Sequence, residues 1–139
     1  MAAISFFSDG VEFVLSNEEE VRDWLFNLAK TEEKKLTEVD VVFVSDDNLL
    51  EMNKKFLQHD FFTDILTFPN DGPGISGELF ISIDRVRENA ITEKTDFIEE
   101  LHRVIAHGFL HLFGYDDKSE TEKLEMRARE LFYLNLRPF

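Results

Sequence analysis

The sequence predicts an α+β fold: a single domain over residues 1–139, with a mixed β-sheet of about four to five strands packed with about five helices. Three observations predict it. The chain has the length of one compact domain, and a 43% hydrophobic fraction is enough to build one core. Short β-prone runs are interspersed with longer segments whose apolar residues recur at helical spacing. No repeat, linker or low-complexity segment divides the chain.

In chain order, "ISFF" and "VEFVL" lie on either side of Ser8, Asp9 and Gly10 and read as an opening hairpin. A helix follows. Ser16 or Asn17 caps it, glutamates 18 to 20 suit its positive end, and Val21, Trp24, Leu25, Leu28 and Ala29 form one apolar face. "VDVVFVS" is a strand, after which Ser45 or Asp46 caps a helix through about Leu57 with Leu49, Met52 and Phe56 at helical spacing. "TDILTF" and "GELFISI" are two more strands, separated by the turn-rich "PNDGPGIS". Asp84 caps a short helix through about Ala90, and Thr95 caps a longer one. Ser119 and Glu122 stand three apart as a capping box for the last helix, whose expected buried stripe is Leu124, Ala128, Leu131 and Phe132.

Composition restricts the chemistry. Without cysteine there is no disulfide, thiolate metal site or cysteine nucleophile, so a metal site must draw on His, Asp or Glu. No basic leader precedes an apolar run, and no stretch approaches the ~18 apolar residues of a membrane span. The expectation is a complete, soluble, cytoplasmic protein with no membrane partner. The formal charge of −14 repels polyanions at long range. Nucleic-acid binding therefore needs a local basic patch, and the candidates are Lys30 with Lys34 and Lys35, Lys54 with Lys55, and Arg127 with Arg129; spacing alone favours ordinary solvated faces. Most of the 15 phenylalanines belong to the core by default, with one or two available to stack on bases.

The stretch "IAHGFLHLFGYDD", 105–117, carries the chemistry. At about 100° per residue, His107 and His111 lie about 40° apart, one turn above each other, and both imidazoles reach one point. His102 lies roughly 140° round the helix from His107 and reads as a surface or core histidine. Gly114 stands where helices end in a left-handed residue, so the chain can turn and bring Asp117 back to the histidine face. Two nitrogens and one carboxylate oxygen then surround an ion and leave a position for water. The spacing is that of the zinc-protease helix and turn, with Asp in place of the third histidine and Gly108 in place of the general-base glutamate. Two buried histidines followed by an acidic loop are the alternative, with Asp116 either capping the turn or simply solvated.

These residues resemble the YbeY family of ribosomal-RNA maturation factors, whose signature reads approximately H-G-x-L-H-L-x-G-Y-D-H. "HGFLHLFGYDD" departs from it at the last position. "NKKFLQHDFFTDILTF" (53–68) and "GELFISIDRVRENA" (77–90) resemble the family's other stretches in the same order. The resemblance implies a metal-dependent endoribonuclease of single-stranded RNA, acting in small-subunit rRNA end maturation and ribosome quality control. It implies His107 and His111 as zinc ligands, with Asp117 where the third ligand is usually histidine. A carboxylate there makes the ion a weaker Lewis acid and widens the choice toward manganese or iron. Leu57 stands where the family typically has an arginine. His59, projecting to the same side if the segment is extended, is a candidate for a cationic or proton-transfer role, against a plain loop histidine. Asp64 matches a polar position of the family and is a candidate to bond a ligand histidine or orient the metal-bound water, against a purely backbone role at the strand's start.

Three functions follow. An RNA hydrolase is favoured by resemblance in several ordered segments. A metalloprotease-like peptidase lacks its base at Gly108. A non-catalytic ribosome-assembly protein with a structural metal, bound to ribosomal protein or an assembly GTPase, is favoured by Leu57 and the acidic surface.

Overall fold

The computed structural model describes residues 2–139, which form four strands and five helices among the described residues. The order is β1 (Ala3–Ser8), α1 (Glu18–Thr31), β2 (Leu36–Val44), α2 (Asp46–Leu57), β3 (Ile65–Pro69), β4 (Ile75–Ser82), α3 (Ile83–Glu93), α4 (Phe97–Leu112) and α5 (Glu120–Leu134). The sheet runs β1-β2-β4-β3, with β1, β2 and β4 parallel and β3 antiparallel to β4. This is the mixed α+β architecture expected.

Alternation along the strands divides the apolar residues between two faces. Val39, Val41, Phe43, Leu79 and Ile81 point into the main core, which α1, α4 and α5 complete with Trp24, Leu25, Leu28, Ile105, Phe109 and Tyr133. Val42, Val44, Leu66 and Phe80 point the other way, where α2 covers them with Leu49 and Met52. Helix α4 is buried along Leu101, Val104, Ile105, Phe109 and Leu110, so it reads as apolar almost all round. His107 and His111 mark its one partly open strip.

Five local expectations are corrected. The opening hairpin is absent: β1 pairs in parallel with β2, and residues 11–15 cross the end of the core irregularly, with Phe13 packed edge-on against Phe43 and Phe97. Asp84 does not cap α3; Ser82 does, accepting from Arg85 N at 3.0 Å, while the Asp84 carboxylate accepts from Asp46 N at 2.9 Å. Asp96, not Thr95, is the N-cap of α4, and at α1 the Asn17 side chain makes no capping bond.

The fifth correction concerns α5. Its capping box forms as expected, with Ser119 Oγ accepting from Glu122 N and the Glu122 carboxylate accepting from Ser119 N. Its buried stripe is instead Met126, Glu130 and Tyr133, leaving Leu124 72% and Leu131 58% exposed, with Ala128 and Phe132 also at the surface. An ionic network explains the rotation. Burying Glu130 places its carboxylate against Arg103 and His107 of α4.

Candidate metal centre

The end of α4 builds the site by local rules. Gly114 has φ 108°, and behind it Tyr115 N donates to Leu110 O while Gly114 N donates to His111 O, the paired bonds of a Schellman ending. The chain reverses there and returns the Asp117 carboxylate over the exposed edge of the two imidazoles. Asp117 Oδ2 lies 3.4 Å from His107 Nε2 and 3.4 Å from His111 Nε2, and one ligand atom from each of the three residues lies within 4.8 Å of the others. Tetrahedral coordination with bonds of about 2.0–2.1 Å separates neighbouring ligand atoms by roughly 3.3 Å, so the donor set fits a zinc-sized ion.

Behind His107 stands a residue that the sequence reading missed. Glu130, 2% exposed, meets His107 Nδ1 at 2.5 Å through Oε2, while its Oε1 accepts from Arg103 Nη1 at 3.0 Å. Arg103 in turn donates twice to buried Glu100, at 3.0 and 2.6 Å. An Nδ1–H donated to Glu130 leaves the Nε2 lone pair facing Asp117, the tautomer that metal coordination requires. Burial acts to raise the Glu130 carboxyl, but the bond to His107 and the charge of Arg103 outweigh it and hold the group below its ordinary value. A glutamate spaced with Met126 and Tyr133 was the available signal, masked by the more apolar Leu124 and Leu131.

Beside the donor atoms opens a cleft of about 620 Å³, lined among others by Leu57, Asp64, Thr67, Asp116 and Lys118. Asp64 is half-buried on its wall; its Oδ2 accepts from Asn89 Nδ2 at 3.2 Å, and its backbone oxygen accepts from Ser82 N. Burial pushes its carboxyl above the usual carboxylate range, partly offset by Arg103 and His107. Among the described residues Lys118 is the only lysine or arginine on the lining, which also holds Asp64, Asp116 and Asp117. A divalent cation among the donors would offset that excess of negative charge.

His59 is not brought to this wall. Leu57 ends α2 and Gln58 adopts a left-handed conformation, so the segment is not extended, and the His59 ring stacks on Phe61 instead. Lys54 pairs with Glu51 and Asp60, which reduces its value as a free cation. His102 is a core histidine: Arg137 Nη1 meets its Nδ1 at 2.8 Å, Trp24 and Phe139 pack on its ring, and burial with the Arg137 charge lowers its pKa to about 4.

Position 108 faces the sheet. A Cβ on Gly108 would sit 2.7 Å from Ile65 Cδ1 and 2.8 Å from Leu79 Cδ1, so α4 packs there at closest approach. A glutamate at 108 would enter the core, which explains the missing protease base in packing terms.

Comparison with known proteins agrees over nearly the whole chain. The model of the family described as Endoribonuclease YbeY matches residues 7–136. A Cytophaga hutchinsonii protein named Endoribonuclease YbeY is 47% identical over 138 residues, covering 98% of this chain and 96% of the relative. One of the same name from Parabacteroides distasonis is 43% identical, covering 92% and 91%. A solution structure from Thermotoga maritima superposes with TM-score 0.68 at 30% identity, covering 96% of this chain and 87% of that one.

Proposed function

The chain belongs to the YbeY endoribonuclease family, and from that membership and the geometry at 107–117 we propose a zinc-dependent endoribonuclease that cuts single-stranded RNA in small-subunit rRNA end maturation and ribosome biogenesis. The observation carrying the metal dependence is the convergence of three donor atoms, with Glu130 fixing the tautomer of one of them. Residues 1–139 act as one YbeY-like metal-hydrolase domain. The substrate and partners are ribosomal RNA and the small ribosomal subunit, with a ribosomal protein or assembly GTPase as further contacts, in the cytoplasm.

His107, His111 and Asp117 hold the ion. An ion bound there would lower the pKa of a water and offer a Lewis acid to a phosphate oxygen. Asp117 adds negative charge where an imidazole would add none, which weakens that Lewis acid and admits manganese or iron. Asp64, on the cleft wall, accepts a hydrogen bond from the attacking water and orients it. Lys118 meets a substrate phosphate, a task that Leu57 cannot perform. His59, outside the cleft wall, contacts the RNA strand. A peptidase finds no base, because the position that would supply it is packed against Ile65 and Leu79.

Leu57 on the cleft favours one second reading, a non-catalytic assembly protein with a structural ion. Metal content by mass spectrometry on untagged protein purified without added metal, beside His111→Ala and Asp117→Ala, tests the site. About one ion per chain, reduced by both substitutions, is expected. Equal trace metal in all three refutes the three-ligand site. Cleavage of single-stranded RNA that stops on chelation supports the nuclease; RNA left intact with or without chelator, together with intact binding to ribosomal subunits, favours the assembly reading.

A further inference from the structure

Between α2 and β3 the chain leaves aromatic rings in water. Phe61 is 55% and Phe62 47% exposed, and the exposed His59 ring stacks on Phe61 with centroids 5.1 Å apart and planes inclined by 21°. Leaving such area in solvent forgoes the stabilisation that burial would bring. The backbone beneath the rings is held. Asn53, 1% exposed, donates from Nδ2 to Phe61 O at 2.9 Å, and its backbone carbonyl accepts from His59 N at 3.1 Å. Gln58 is in the left-handed region at φ 56°, and the Arg85 guanidinium lies 5.1 Å from the Phe62 ring centroid. The loop therefore presents its rings on a fixed frame. Its two ends, Leu57 and Thr63, both line the cleft beside His107, His111 and Asp117, so the loop that carries the rings leaves and rejoins the cleft wall.

We propose that the stacked His59 and Phe61, with Phe62 beside them, form a base-stacking platform that receives an unpaired nucleobase of the RNA strand entering the metal cleft. The proposal rests on the nuclease reading for its choice of occupant. Charge gives a second reason. The net charge of −14 repels a polyanion at long range, and Lys54 beside the loop is already paired with Glu51 and Asp60, whereas stacking on aromatic faces does not depend on net charge. Stacking also selects strand state, because the base faces of a duplex are covered by their neighbours. The platform thereby supplies a preference for single strands without reading sequence.

The test is fluorescence anisotropy with a short labelled single-stranded oligoribonucleotide of mixed sequence, titrated in chelator so that no strand is cut. Phe61→Ala and Phe61→Leu are expected to weaken binding on the order of tenfold and Phe61→Trp to retain it, since base–aromatic stacking rather than apolarity is lost in the first two. His59→Ala should weaken binding in the same direction. A duplex of the same sequence should bind the wild type and Phe61→Ala alike. Wild-type affinity in Phe61→Leu, equal losses on single strand and duplex, or no single-strand binding by the wild type would each overturn the platform and leave the rings as a contact for a protein. Metal-dependent cleavage of the same oligonucleotide is scored separately. Cleavage with binding insensitive to residue 61 refutes the platform and spares the nuclease, whereas the expected binding pattern without cleavage does the reverse.

Discussion

Replacing Glu130 separates the two roles that its carboxylate plays, holding His107 in one tautomer and neutralising Arg103 in the core. In Glu130→Gln the one side-chain oxygen can still accept from His107 Nδ1–H, but the charge that strengthens that bond and raises imidazole basicity is gone, and the amide nitrogen then faces Arg103 Nη1, which loses its acceptor there. Loss of such an outer partner costs about 10- to 100-fold in metal affinity, or roughly 1.4–2.7 kcal/mol. In Glu130→Ala the Nδ1–H and one Arg103 N–H also lose their acceptor in a buried setting. Breaking a buried pair costs about 3–5 kcal/mol. Arg103 keeps its two bonds to Glu100, so the lower end, about 3 kcal/mol, is expected for the metal-free protein. Zinc affinity is read by competition with a chromophoric chelator and metal-free stability by urea denaturation. Both variants should lose zinc affinity and stability, and Glu130→Ala, which leaves His107 Nδ1–H bare as well, should lose the more stability. In a His107→Ala background Glu130→Gln should change zinc affinity no further, since its effect passes through that imidazole. Wild-type zinc affinity in both Glu130 variants would refute the tautomer reasoning; equal effects with and without His107 would refute the route.

Three further outcomes are expected. Gly108→Ala should lower stability by about 1–3 kcal/mol, because its methyl meets Ile65 and Leu79, while stoichiometric zinc binding is kept; an unchanged urea midpoint would contradict that packing. His102 titrates near pH 4 when folded and near 6.5 when unfolded, so the unfolded chain binds its proton first as pH falls. Its contribution, at most ~3 kcal/mol, is present above pH 6.5, declines between 6.5 and 4, and is gone below that, so His102→Gln should flatten the urea midpoint against pH in this window. Zinc at about 100 times its dissociation constant should stabilise the wild type by about 2.7 kcal/mol and His111→Ala by far less, as differences in Tm; equal shifts would place the ion elsewhere.

Parts of the site that depend on one or two turns of helix were legible in the sequence. The four-residue spacing of His107 and His111 sets their shared face, Gly114 permits the left-handed ending, and three residues return Asp117. Each follows from backbone geometry that neighbours in sequence determine. The capping box of α5 was legible for the same reason. His59 was misplaced because its projected direction assumed an extended segment, while one left-handed residue, Gln58, redirected the chain. Asp64 was singled out through a resemblance; its burial and its bond to Asn89 depend on the tertiary structure.

The sequence by itself thus determined the fold class, the element order from β2 onward and the three converging donors. Tertiary structure decided the rest. That β1 pairs in parallel depends on which edge of β2 is free, and a short apolar run carries the same strand pattern for either direction. Which face of α5 turns inward was decided by an ionic chain through Glu100, Arg103, Glu130 and His107, whose members are separated by up to 30 positions and meet only when two helices dock. Apolar periodicity reports where water is excluded on average. It is silent about a buried carboxylate, because the stability of a charge in the core depends on partners that only the packed structure supplies.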